Sequence, residues 1–301
     1  MNIEKMFTTI DSHVAGEAFR MIIHSPLQYD FRDFQVKQSA LHDQYEHEKL
    51  LLLNEPRGHR GVNGCIITPS STSDYGLLFV NHGEEYRFSY SGIIATLTTL
   101  LETGNLAPNV NGSYQVETVN GIYTVYADFH NHVVENVRIE SGKCKLISSK
   151  KTSYTVEVDN SRKYIISTLP DTIPTLQMRH LSAIVNWGKE TLNDLQEESE
   201  VEGIILVETI SDNETRSVTF EKDGAILRSP GIDSTFAIYT AWLDRYGEIH
   251  EFVNRSIFNS QLIASHQGES KFTLNTRAII TGEHQFIYDK SDPLERGFLL
   301  R

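Results

Sequence analysis

Three short stretches of this 301-residue chain combine residue types that can do nucleophilic, acid–base or metal chemistry. Asp11-Ser12-His13 holds the three residue types of a nucleophilic triad. Consecutive residues on a strand point to opposite faces, so the three side chains do not converge and a working triad is not expected. Glu55-Pro56-Arg57-Gly58-His59 offers an acid, a guanidinium and an imidazole, but its proline and glycine read as a structural turn. His130-Asn131-His132 is the closest pair among the twelve histidines. Zinc sites take three or four ligands and no third is near, so these imidazoles are read as a solvated strand turn and no metal is expected. Cys65 and Cys144, the two cysteines, lie far apart without a CxxC or Cys/His cluster, which argues against a disulfide framework and fits a reducing cytoplasm. Neither a Walker loop nor a dinucleotide glycine motif occurs. Arg87 and Arg228 are either surface pairs or ligand anchors, and the usual exposure of arginine favours the former.

The background composition narrows the partners. Asp and Glu total 40 against 27 for Lys and Arg, a net charge of −13. Nucleic acid and anionic membrane surfaces both demand concentrated positive charge, so neither is an expected partner. Residues 1–25 mix acids, Lys5, Arg20 and two histidines, unlike a signal peptide. No run of ~18 apolar residues suggests a spanning helix. The length predicts about two domains, and an apolar share of 39% is enough to build cores.

Most of the chain reads as short strands, at 19–24, 65–68, 77–80, 122–128, 133–139, 154–158, 164–168, 203–208 and 217–220. Asn120-Gly121, Asn131-His132, Ser141-Gly142 and Asp223-Gly224 supply turns between apolar runs. Three helices are predicted. The first, 91–103, carries no charge before Glu102 and stops at Gly104, as a helix buried on all sides would. The second, 174–195, places Leu176, Leu181, Ile184, Val185 and Leu192 on one face, with 196–202 as its solvated acidic end. The third, 234–246, is again apolar and stops at Gly247. Segments 91–104 and 234–247 share length, glycine ending and a preceding serine- and glycine-containing turn, which suggests a duplicated half.

Several motifs, in order along nearly the whole chain, resemble those of the proline racemase family, which also contains hydroxyproline epimerases and trans-3-hydroxyproline dehydratases. Ile10-Asp11-Ser12-His13-Val14-Ala15-Gly16-Glu17 is similar to the family's I-D-S-H-T-x-G-E. Asn54-Glu55-Pro56-Arg57-Gly58-His59 resembles L-E-P-R-G-H, with Gly64 and Asp74-Tyr75-Gly76-Leu77-Leu78-Phe79 placed like its D-F-G-x-x-F. Leu101-Glu102-Thr103-Gly104 ends the first buried helix as the family does. Arg228-Ser229-Pro230 matches R-S-P, and Phe252-Val253-Asn254-Arg255-Ser256-Ile257 resembles F-x-x-E-S-I. Gly282-Glu283-His284-Gln285-Phe286, Asp292-Pro293-Leu294 and Gly297-Phe298 resemble its tail.

The resemblance implies an α+β chain of the diaminopimelate-epimerase-like type, two pseudo-symmetric domains each wrapping a curved sheet around one central helix. The first domain would comprise 1–150 plus 278–301, and the second 151–277. In that architecture the substrate carboxylate faces the N-termini of both central helices, where free N–H groups and the helix dipole favour an anion. The reaction it implies is cofactor-free removal of an amino acid α-proton, with a base on one face and an acid on the other. A small amino acid or related ligand is the expected partner, and a homodimer is compatible with the resemblance.

The departures from the family pattern fall on the reacting groups. Its first cysteine, in M-C-G-H-G, corresponds to Ser89, with Tyr90 at the glycine, Ser91 at the histidine and Gly92 following. Its second, in R-S-P-C-G-T-G, corresponds to Gly231 counting forward from Pro230, or to Ile232 counting back from Gly247. Asp233 and Ser234 complete the expected binding segment. Leu227 replaces the aspartate that holds the imino nitrogen, and about Ser161-Arg162 replaces a glycine pair. A serine hydroxyl is a poor base unless activated, and neither Gly231 nor Ile232 carries a proton. Asp233 would repel a substrate carboxylate, bind an amine or act as the missing base. Two readings follow: a diverged racemase, epimerase or dehydratase with Ser89 as the surviving catalytic position, or an inactive paralogue that binds a small amine-containing ligand or a protein partner.

Overall fold

The computed structural model describes residues 3–24, 34–83, 87–194 and 201–299. Its elements in chain order are β1 (Ile3–Val14), β2 (Glu17–His24), α1 (Phe34–Gln44), α2 (Glu46–Leu53), β3 (Val62–Thr68), β4 (Tyr75–Val80), α3 (Tyr90–Glu102), β5 (Ser113–Thr118), β6 (Gly121–His130), β7 (Val133–Glu140) and β8 (Lys145–Ser149). There follow β9 (Ser153–Val158), β10 (Arg162–Thr168), α4 (Leu181–Asp194), β11 (Val201–Ser211), β12 (Glu214–Glu221), α5 (Ile232–Tyr246), β13 (Glu251–Arg255), β14 (Gln261–His266), β15 (Phe272–Thr276) and β16 (Ile279–Asp289).

Two compact units emerge. The first contains the described residues up to Val14, Ala18–Val137 and those from Arg277 onward, and the second contains Ala15–Glu17 and Arg138–Thr276. The second unit thus takes in residues 138–150, which the sequence assigns to the first half, because β8 is hydrogen-bonded to β9. In the first unit the strands lie in the order β16, β1, β2, β3, β4, β5, β6, β7; in the second the order is β15, β14, β13, β12, β11, β10, β9, β8.

The pairing pattern carries the duplication further than the two helices alone. In the first unit β2 is parallel to β3, β3 antiparallel to β4, β4 parallel to β5 and β5 antiparallel to β6. In the second, β10 is parallel to β11, β11 antiparallel to β12, β12 parallel to β13 and β13 antiparallel to β14. One helix of each unit lies between the equivalent strands β4 and β5, or β12 and β13, and these are α3 and α5.

Both units bury their central strands on two faces, which removes the alternation expected of a half-exposed strand. Every residue of β4 is buried, with α3 on one side and a cluster of Ile22, Leu41, Leu52, Ile66 and Leu78 on the other. In α3 all twelve residues from Tyr90 to Leu101 are buried. Thr96 satisfies its hydroxyl within the helix, its Oγ1 donating to Gly92 O at 2.8 Å. Thr235 and Thr240 do the same in α5. Around α5 the core is aromatic, with Phe236 and Tyr239 stacked on Phe272 and Phe252.

Two helices went unpredicted. α1 and α2 lack an amphipathic period, and their polar residues are held by tertiary contacts: the Gln38 amide donates to Phe79 O at 2.8 Å and accepts from Phe79 N–H at 3.2 Å. α4 begins at Leu181, seven residues later than expected from 174, after a short 3-10 turn at Met178–His180. The Leu176 N–H donates to the Glu208 carboxylate at 2.9 Å instead of entering a helical turn. Of the face expected for this helix, Leu176 and Ile184 are buried and Leu181 and Leu192 partly so. Leu195 and most of the expected acidic end lie outside the described residues, and its last two positions, Val201 and Glu202, open β11.

Candidate active site

The motif residues near the start serve the fold. Arg20 reaches Asp11 through Nε at 2.9 Å and Nη2 at 2.7 Å, and its Nη1 donates to the Leu52 and Arg57 carbonyls. Ser12 Oγ lies 3.9 Å from Met21 Sδ. Asp11, Ser12 and His13 therefore form no triad. Arg57 in turn binds the Asp292 carboxylate and, at 3.1 Å, the Leu294 carbonyl, tying the Glu55-to-His59 turn to the chain's tail. Asn131 and His132 both adopt left-handed φ, 50° and 64°, in the turn between β6 and β7.

In the first unit the candidate site is the start of α3. Ser89 is its N-cap, with extended backbone, and its Oγ accepts the Gly92 N–H at 3.1 Å. This is what a serine at that position does for a helix whose first N–H groups have no internal partner. Tyr90 is turned into an aromatic cluster of its own unit, with ring centroids 4.9 Å from Phe88 and 5.7 Å from Tyr123, both edge-on. Ser91 is buried. Gly92 is a packing residue: a Cβ there would stand 2.9 Å from the Phe79 ring and 3.3 Å from Cys65 Sγ. Cys65 lies beneath the first turn of α3, fully buried.

In the second unit the start of α5 differs in kind. Gly231 is the N-cap with φ of 74°, a region that suits glycine. A Cβ at this position would come within 2.6 Å of Leu227 Cδ2 and 2.9 Å of Ser234 Oγ. Leu227 therefore fills the volume that any side chain at 231 would enter. Ile232 is buried, and Ser234 Oγ shares a 2.7 Å hydrogen bond with Thr219 Oγ1.

Asp233, in the first turn of α5, is held by Arg162 at the start of β10. Arg162 Nε donates to Oδ2 at 3.1 Å and Nη2 to Oδ1 at 2.9 Å, while the Tyr164 hydroxyl donates to Oδ2 at 3.3 Å. Nη2 also reaches Asp159 at 2.8 Å. Burial works against the charged guanidinium, but the carboxylates of Asp233 and Asp159 outweigh it and hold the Arg162 pKa well above its ordinary value. Cys144 lies in this unit, buried, and its thiol is pushed up to about 12 by that burial and by the charge of Asp159. A thiol in that state is unreactive near neutrality. Arg87 is half-buried and Arg228 exposed.

One organising residue escaped the sequence reading. Asn254, fully buried on β13, donates to Pro230 O at 3.2 Å and Thr235 Oγ1 at 3.1 Å. Its Oδ1 accepts from Thr215 and Ser217 at 3.2 and 2.9 Å. It thereby fixes the Pro230–Gly231 approach to α5. It sat inside the motif Phe252-Val253-Asn254-Arg255-Ser256-Ile257, and an amide in an apolar strand run was the available signal.

The proline racemase family model matches residues 9–299. Among curated relatives, a trans-3-hydroxy-L-proline dehydratase of Bacillus cereus is 31% identical, each chain fully covered. Another protein of that name from Bacillus thuringiensis subsp. konkukian is 30% identical, again over the whole of both chains. Among solved structures, a hydroxyproline epimerase from Agrobacterium vitis with bound trans-4-hydroxy-L-proline superposes with a TM-score of 0.83 at 19% identity, covering 100% of this chain and 96% of that one.

Proposed function

The chain belongs to the proline racemase family, and from that premise we propose that it has lost two-base isomerisation and binds a small amino acid or related ligand without turning it over. The observation that carries this reading is the start of α5. Racemisation and epimerisation need a proton acceptor on one face of Cα and a donor on the other. Gly231 has no side chain, and its φ of 74° together with Leu227 leaves no room for one. Ile232 is aliphatic. Both carboxylate oxygens of Asp233 are engaged by Arg162, so Asp233 is neither an available base nor a free anchor for an amine. Loss of the acid–base groups with retention of the scaffold is the pattern of an inactive paralogue.

A second reading, dehydration of a 3-hydroxyproline-type imino acid, is favoured by Ser89, which keeps its hydroxyl at the N-terminus of α3. It gains weight from the dehydratase names of the relatives at 31% and 30% identity. Dehydration needs one base together with help for the leaving hydroxyl. Ser89 Oγ already accepts the Gly92 N–H, and a neutral serine in that role is a weak base, which is why this reading stands second.

The deciding experiment is Cα deuterium exchange and product formation, followed by NMR, with a panel of prolines, 3- and 4-hydroxyprolines and other amino acids. The proposal expects saturable binding of at least one ligand with neither exchange nor dehydration. Exchange that disappears in Ser89→Ala overturns it in favour of the dehydratase reading, and two-sided inversion of any substrate overturns both.

A further inference from the structure

At the opposite end of α5 from Gly231 lies a cavity of about 710 Å³, inside the second unit. With α5 running 15 residues, roughly 20 Å separate its two ends at ~1.5 Å per residue. The floor of the cavity is apolar, formed by Leu146, Leu243 and Phe272, the last fully buried. Its rim is charged with both signs. Lys143 and Lys145 come from the segment entering β8, and Asp244 and Glu248 from the end of α5. Glu269 adds a further carboxylate from the turn between β14 and β15. Among the described residues, no ion pair engages Lys143, Lys145, Asp244 or Glu269, and Glu248 meets only exposed His250 at 3.9 Å.

We infer that this cavity is a second ligand site, for a free zwitterionic amino acid with an apolar side chain. The carboxylate belongs with the two lysines, which line the cavity from the segment entering β8. The ammonium belongs with Asp244 and Glu248, where the last carbonyls of α5 have no helical partners and the helix dipole adds negative potential. The side chain belongs on Leu146, Leu243 and Phe272. The volume lies in the range of small-molecule sites, ~300–1,000 Å³, and a purely cationic or purely anionic ligand would leave one wall unmatched. The site shares no residue with the half-sites of the proposed function and stands or falls independently of them.

The test is calorimetric titration of the full chain with L-leucine, L-leucinamide, which lacks the carboxylate, and 4-methylpentanoate, which lacks the amine. Leucine should bind, and each analogue should bind at least about tenfold more weakly, the loss expected for one charge-assisted anchor. Lys143→Glu/Lys145→Glu should remove leucine binding, whereas Ser89→Ala should leave it intact. Both lysines are exposed, so their replacement does not threaten folding, and the analogue series needs no variant at all. The inference is overturned when leucine does not bind, when the analogues bind as well as leucine, or when Ser89→Ala abolishes binding that the lysine variant retains. The last result would place leucine at the start of α3 and leave the function proposed above standing.

Discussion

Arg162 and Asp233, 71 residues apart, meet through two hydrogen bonds of 3.1 and 2.9 Å at the first turn of α5. Their side chains are only 6% and 14% exposed, so the pair is shielded from water and its members depend on each other. Removing one partner from a buried pair leaves an uncompensated charge and costs about 3–5 kcal/mol. Arg162→Met is expected to lower unfolding free energy by that amount in urea denaturation. Arg162→Met/Asp233→Leu should recover part of it, because the Asp233 charge is no longer stranded while the buried Asp159 carboxylate still lacks the guanidinium. Equal losses in the single and double variants would show that the loss comes from Asp159 or from packing and that the Arg162–Asp233 pair adds nothing.

Gly231 bears on chemistry directly. Installing the thiol at this position, Gly231→Cys, would be the obvious attempt to restore an acid–base group at the start of α5. The left-handed φ of 74° and Leu227 Cδ2 at 2.6 Å from the new Cβ oppose it. The variant should lose about 1–3 kcal/mol of stability, the cost of a non-glycine residue held in such a region with a steric contact, and gain no Cα exchange. Gly231→Cys/Leu227→Ala should recover part of the lost stability. Exchange appearing in the single variant would contradict this account of α5.

The sequence made the central helices legible because α3 and α5 are long apolar runs closed by Gly104 and Gly247, a local signal. It did not reveal α1 and α2, whose stability resides in contacts such as Gln38 with the backbone of Phe79, 41 residues away. The candidate site divides along the same line. Ser89 was locatable from its motif, and its role as N-cap follows from local backbone. Arg162 and Asp233 were each visible as a departure from the family pattern, but that they neutralise one another is a tertiary fact. The expected repulsion between Asp233 and an incoming carboxylate is correspondingly weakened by Arg162. Leu227 likewise read as a lost aspartate, whereas its contact with Gly231 explains why no side chain can follow Pro230.

Ser89 can be tested as a cap separately from any chemistry. Its Oγ accepts the Gly92 N–H, and removal of such a cap typically costs ~1 kcal/mol. Ser89→Ala is expected to be destabilised by about that much, measured by urea denaturation, while Ser89→Asp should hold or raise stability through a stronger acceptor at the helix N-terminus. Equal stability of the wild type and Ser89→Ala would mean that this hydroxyl is not used as a cap in solution.

Cys144 gives a pH signature with a definite sign. Its pKa is raised from 9.0 to about 12 in the folded chain, first by burial and then by Asp159. Between those values the unfolded chain has lost the thiol proton and the folded chain retains it, so the folded state binds more protons and stability falls as pH rises. The contribution is fully present below about pH 9 and is lost progressively towards pH 12, to a total on the order of 4 kcal/mol. Cys144→Ala should flatten the pH dependence of unfolding free energy across this window relative to the wild type, since the other titrating groups are common to both. The same burial predicts that a thiol reagent at neutral pH labels Cys144 only on unfolding. Rapid labelling of the native chain, or an unchanged alkaline slope in the variant, would show that the thiol is open to solvent.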